Sequence, residues 1–155
     1  VCAKIEEPVC LQMLLYPVTD VRMQTASMAR YTDTPMWNAK LNARLWEMYL
    51  KDTPKESWSA ASPMQMPLPR EIPDTYIETA EFDCLHDEVV LYAKRLKHAG
   101  GKVTLYEPKG TVHGYDFVLK SPVTEESVRR RIKALRAAFR EKSGEKPNSR
   151  TLPDA

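Results

Sequence analysis

Glycine is scarce in this chain. Its five residues, Gly100, Gly101, Gly110, Gly114 and Gly144, bracket no serine at Gly-x-Ser-x-Gly spacing, so a strand-to-helix turn presenting a nucleophile is not encoded here. Cysteine is scarcer. Cys2, Cys10 and Cys84 are an odd number without CxxC spacing, which suggests neither a disulfide framework nor a zinc site. No apolar run approaches the roughly 20 residues of a transmembrane helix, and the first residues lack the basic-then-apolar shape of a signal peptide. The expectation is a cytoplasmic protein with no membrane span. Charge of one sign is missing too: 23 Lys and Arg against 21 Asp and Glu leave +2, which gives no electrostatic case for nucleic acid. Internal repeats are absent. What is present, 155 residues with 43% hydrophobic and 28% charged, is the composition of one globular domain.

The chemistry concentrates between Tyr76 and Tyr115. Tyr76-Ile77-Glu78-Thr79-Ala80 is rich in β-formers and runs into Glu81-Phe82-Asp83-Cys84-Leu85-His86-Asp87-Glu88, an acidic turn suited to a helix start, where unpaired N–H groups favour negative charge. From Leu85, the positions Val89, Tyr92, Ala93 and Leu96 keep helical spacing, and Gly100-Gly101 supplies the left-handed stop. Lys102 to Glu107 then alternates as a strand and ends at Pro108, before the loop Lys109-Gly110-Thr111-Val112-His113-Gly114-Tyr115. A strand–helix–strand of this length predicts a parallel right-handed crossover, with both post-strand loops at the carboxyl edge of the sheet. Asp83 and His113 are then spatial neighbours, arranged as the acid and base of a nucleophile–histidine–acid triad.

Ala80-Glu81-Phe82-Asp83-Cys84-Leu85-His86-Asp87-Glu88, followed thirty positions after the aspartate by His113-Gly114-Tyr115, resembles the hormone-sensitive-lipase-like acetyl esterases and lipases of the α/β-hydrolase superfamily. That family more often has proline at position 84, arginine at 86 and phenylalanine at 115. The resemblance covers roughly residues 1 to 139 and implies the C-terminal half of an α/β-hydrolase, with about three parallel strands and flanking helices. Such a domain normally needs about 250–300 residues. The nucleophile elbow and the His-Gly-Gly oxyanion loop would lie upstream, and neither motif occurs here. In this resemblance Asp83 and His113 are the catalytic acid and base, no cofactor or metal is needed, and the substrate is a short-chain acyl ester.

The flanks complete the expectation of a partial hydrolase domain over 1–143 and a polar, disordered tail over 144–155. Val1 to Ile5 reads as the end of a helix already under way, with Glu6-Glu7-Pro8 as its exit. Val9 to Pro17 is a nearly continuous apolar run, predicted as a strand buried on both faces. Its end, Tyr16 to Asp20, resembles the family's Tyr-Pro-Val-Thr-Asp and reads as packing without a direct role. Val21 to Thr34 reads as a surface loop. A helix is expected from Pro35, after Asp33-Thr34 as caps, with Trp37, Leu41, Leu45 and Met48 on one stripe. By resemblance its end lies over the active-site mouth, making Trp46 and Tyr49 candidate acyl-pocket residues; by packing alone an aromatic stripe is more often core. The prolines from Lys51 to Pro73 forbid regular helix. Ser121-Pro122 opens a last helix whose Val128, Ile132, Leu135 and Phe139 should dock on the sheet while Arg129-Arg130-Arg131 face solvent.

Other residues read more plainly. Asp87 and Glu88 are first-turn helix acids, His98 a last-turn cation, and Cys84 a buried thiol rather than a nucleophile. His86 with Asp83 and Asp87 lacks the further ligand a metal would need. Two rival functions stand beside the esterase: a non-catalytic interaction module, and a peptidase or lactonase on the same scaffold. With strand Val9 to Pro17 left open on one side, the chain is expected to form a homodimer or to pair with a chain carrying the N-terminal half.

Overall fold

The computed structural model describes residues 9–143, so the expectations for residues 1–8 and for the tail lie outside the described residues. Three short strands, β1 (Gln12–Leu15), β2 (Thr75–Glu78) and β3 (Val103–Tyr106), form one parallel sheet in the order β1-β2-β3. The register sets Leu15 beside Glu78 and Glu78 beside Tyr106, so all three strands end level and their following loops share one edge. Helix α3 (His86–His98) makes the crossover from β2 to β3 as the sequence predicts, burying Val89, Tyr92, Ala93 and Leu96. Its end is a Schellman closure: Gly101 N–H donates to the Leu96 carbonyl and Gly100 N–H to that of Lys97, with Gly100 at φ 87°. Burying four apolar side chains contributes several kcal/mol, at about 1.5–3 kcal/mol for each large one.

Elsewhere the structure corrects the sequence reading. β1 is not buried on both faces; it stands at the sheet edge with β2 alone beside it among the described residues, and its side chains are partly exposed. The segment 21–34 holds a short helix, α1 (Ala26–Arg30), capped by Thr25 and packed on α3 through buried Ser27 and Met28. Helix α2 (Ala39–Tyr49) starts four residues later than expected. Asn38, not Asp33 or Thr34, accepts from the Leu41 N–H as N-cap, while the Thr34 hydroxyl donates to the Trp37 carbonyl in a preceding turn. Its buried side is Asn42 and Trp46, which leaves Leu41 and Met48 outside. The proline-dense segment carries only a 3-10 turn, Lys55–Ala61.

Helix α4 (Pro122–Ser143) departs most. Val128, Ile132 and Phe139 face out, and the buried side is Thr124, Ser127 and Ala138, with Arg131 turned inward. Thr124, Ser127 and Arg131 share one helical face at i, i+3, i+7, and a polar partner inside the sheet draws that face inward: Glu78, at the end of β2, is fully buried. Among the described residues no helix is long and apolar enough to cross a membrane.

Candidate active site

Asp83 sits in the loop after β2, fully buried, where its Oδ1 accepts from the Leu85 N–H at 3.0 Å and so fixes the carboxylate against the start of α3. The loop after β3 is sewn to it. Phe82 N–H donates to the Thr111 carbonyl at 2.8 Å, Glu81 N–H to the Thr111 hydroxyl at 3.2 Å, and Gly110 N–H to Glu81 Oε2 at 2.7 Å. Lys109 adds an ion pair to Glu81 at 3.3 Å. These bonds deliver His113, whose Nδ1 lies 2.7 Å from Asp83 Oδ2. Gly114 follows at φ 70°, a left-handed turn that glycine makes without strain, and a Cβ there would sit a tight 3.1 Å from the Phe117 ring.

Nδ1 is occupied by the carboxylate, and Nε2 is the nitrogen left to take up a proton. An imidazole held this way is fixed in one tautomer and can act as a general base on a hydroxyl brought to Nε2. Two aromatic rings flank it: Tyr16, 4.9 Å away between centroids, and Trp37, 5.8 Å away. Tyr16 follows β1 with φ 47°, an uncommon left-handed conformation for a tyrosine, held by its N–H donating to the Glu78 carbonyl. Burial, with Tyr115, Asp116 and Glu78 nearby, pushes its phenol well above the ordinary range, so Tyr16 serves as a neutral hydroxyl. The Trp37 indole N–H is buried without a hydrogen-bond partner among the described residues.

Asp83 and His113 are therefore brought together as expected from the sequence, and Trp46 and Tyr49 are not both placed in a wall. Trp46 is 7% exposed and packs inward, whereas Tyr49 is 69% exposed, so only one of the pair is enclosed. The residues that sequence reasoning missed are Tyr16 and Trp37. A Tyr-Pro at a strand end was the only available signal for the first, and the second was read as part of a helix stripe that it precedes. Cys84 is fully buried, and burial beside Asp83 pushes its thiol up to about 12, which removes it as a nucleophile. His86 bridges Asp87 at 2.9 Å and Glu107 at 3.2 Å, and among the described residues no His, Cys, Asp and Glu group could hold a metal ion.

The two acids after Asp83 prove to be fasteners. Asp87 Oδ2 accepts from the Ser27 N–H at 2.8 Å and ties α1 to α3. Glu88 Oε1 accepts from the N–H of Thr19 at 2.6 Å and of Asp20 at 3.2 Å, holding the segment after Tyr16. Its carboxyl is pushed up to about 7 by burial, against the downward pull of the Thr19 and Asp20 bonds.

Residues 2–117 match the family described as alpha/beta hydrolase fold. Esterase LipI of Mycobacterium tuberculosis is 28% identical over 134 residues, which is 85% of this chain and 42% of that protein. Ethyl acetate hydrolase of Pseudomonas putida is 29% identical over 117 residues, covering 76% of this chain and 36% of the relative. Among solved structures, a bacterial heroin esterase superposes with a TM-score of 0.77 at 33% identity over 84% of this chain and 43% of its own. Esterase LipW from Mycobacterium marinum gives 0.78 at 29% identity, over 85% and 41%. The chain thus spans less than half the length of these relatives. On its sequence match, its parallel sheet and its neighbours, the chain belongs to the α/β-hydrolase fold family, on the hormone-sensitive-lipase-like esterase branch.

Proposed function

We propose that this chain supplies the acid and base of a carboxylic ester hydrolase, Asp83 and His113, to a serine nucleophile and oxyanion hole that lie outside these 155 residues. The observation that carries the reading is the 2.7 Å bond between His113 Nδ1 and Asp83 Oδ2 across two adjacent strand-end loops. In the assembled site His113 Nε2 takes the serine proton as the serine oxygen attacks the ester carbonyl. It then returns that proton to the departing alcohol, and a water repeats the cycle on the acyl-enzyme. Asp83 holds the ring and stabilises the imidazolium of each step. The names of the relatives, an ethyl acetate hydrolase among them, support short acyl esters as substrates over a peptide or a lactone.

The half that carries the nucleophile is the partner this reading requires. The edge of β1 that has no strand beside it among the described residues favours the same pairing, or a homodimer through that edge, since unpaired strand N–H and C=O groups are a template for another strand. The test is turnover of a short acyl ester by the chain joined with a nucleophile-bearing half. His113→Ala and Asp83→Asn are each expected to lower kcat by roughly 10³-fold or more with little change in KM, because triad members act as a unit. Near-normal turnover in either variant defeats the assignment. The 155-residue chain by itself is expected to give no turnover, having no elbow serine.

A further inference from the structure

We propose that Arg131 is a positioning residue for His113, acting from α4 through a buried clamp made with Glu78, Asp116 and Tyr16; this rests on the reading of His113 as the base. Glu78 ends β2, five residues before Asp83, and is fully buried. Its Oε1 receives Arg131 Nη2 at 2.5 Å and the Tyr115 hydroxyl; its Oε2 receives Arg131 Nε at 3.0 Å and the Tyr76 hydroxyl at 3.0 Å. The guanidinium has donors left over. Nη1 reaches Asp116 Oδ2 at 2.7 Å, and Nη2 reaches the Tyr16 hydroxyl at 3.4 Å. One planar side chain thus touches residues following each of β1 and β3 as well as the end of β2, which a point charge on a flexible stem could not do.

The contacts converge on the histidine. Tyr115 and Asp116 are the second and third residues after His113, and both are fastened to this clamp, while Thr111, two residues before it, is fastened to the acid loop. Gly114 is the one left-handed joint between His113 and the clamped residues. Tyr16, held by the same guanidinium, sets its ring 4.9 Å from the imidazole. The family resemblance more often has phenylalanine at position 115. Here the added hydroxyl is satisfied by Glu78 and by the Ser127 hydroxyl on α4. A buried ion pair kept for stability alone is replaceable by apolar side chains at little cost. A clamp that sets where the imidazole sits is not.

Three variants separate these roles in the chain joined with its nucleophile-bearing half: Arg131→Leu, Arg131→Lys, and the apolar pair Glu78→Leu with Arg131→Leu. The apolar pair is expected to regain the thermal midpoint lost by Arg131→Leu, yet to keep kcat lowered by about 10- to 100-fold at unchanged KM, the size of loss that a misplacement near 1 Å produces. Arg131→Lys keeps the charge and is expected to recover less than half of the lost kcat on a logarithmic scale. Recovery of both midpoint and kcat in the apolar pair overturns the proposal. A second readout needs no turnover: the downfield proton NMR signal of His113 Nδ1–H, identified by its loss in His113→Ala, should broaden or shift in the apolar pair. An unchanged signal also overturns it. Turnover that survives His113→Ala refutes the catalytic reading of the histidine, and the signal then judges the clamp by itself.

Discussion

Helices α3 and α4 pack on the same small sheet by opposite means. α3 buries Val89, Tyr92, Ala93 and Leu96, the stripe that its sequence spacing marks. α4 has a stripe just as regular, Val128, Ile132 and Phe139, and turns it outward, docking instead through Thr124, Ser127 and the Arg131–Glu78 ion pair. Spacing identifies which residues share a face; what that face meets depends on the rest of the sheet. Glu78 decides it here. An unpaired carboxylate at that depth would cost more than exposing a few apolar side chains, so α4 rotates its guanidinium to the carboxylate.

The comparison breaks most sharply at Arg131. Arg131→Leu leaves Glu78 buried with two tyrosine hydroxyls for company, and a loss of roughly 3–5 kcal/mol is expected in urea unfolding. A loss below about 1 kcal/mol would mean that α4 does not depend on the pair. On α3 the matching change is Leu96→Ala, a fully buried side chain of the apolar core cluster, expected to cost roughly 2–4 kcal/mol by the same measurement.

Glu88 is the polar exception on α3, and pH isolates it. Its folded carboxyl lies at about 7 against an ordinary 4.5, so the fold favours the protonated form. That contribution is complete below about pH 4.5 and is lost as pH rises through about 7. Glu88→Gln, which keeps an acceptor for Thr19 and Asp20, should therefore gain on the parent chain between pH 5 and pH 8, by on the order of 2 kcal/mol. Parallel urea midpoints at the two pH values check this, and equal gaps at both would assign the pH response elsewhere. The smallest effect belongs to the outer stripe of α4: Ile132→Ser in the 155-residue chain should shift stability by no more than about 0.5 kcal/mol. A shift of 2 kcal/mol or more would reveal that the stripe is covered.

The β2–α3–β3 unit was legible because each local signal agrees with the next: β-rich run, acidic helix start, apolar stripe, Gly100-Gly101 stop, alternating strand. The nearness of Asp83 and His113 followed from that order alone. Arg131 was hidden because a run of three arginines looks like a solvated face, and nothing local says that the third finds a carboxylate fifty-three residues away. The start of α2 was misread for a local reason: Thr34 and Asn38 are both good caps, and the Thr34 hydroxyl is used by the Trp37 carbonyl instead. Tyr16 and Trp37 beside His113 express tertiary placement, for which a single sequence holds no period or motif.

The sewing of the acid loop to the base loop bears on when the pair forms as the chain folds. Asp83 and His113 are 30 residues apart, and the bonds of Thr111 and Gly110 to Glu81 and Phe82 span 29 or 30. Closing a loop of that length costs only about 3 kcal/mol of chain entropy beyond a fixed term, and every residue those bonds join lies between the end of β2 and the loop after β3. The loop-to-loop bonds can therefore form within β2, α3 and β3, whereas the final seat of the imidazole waits on Arg131 from α4 and on Tyr16 from the end of β1.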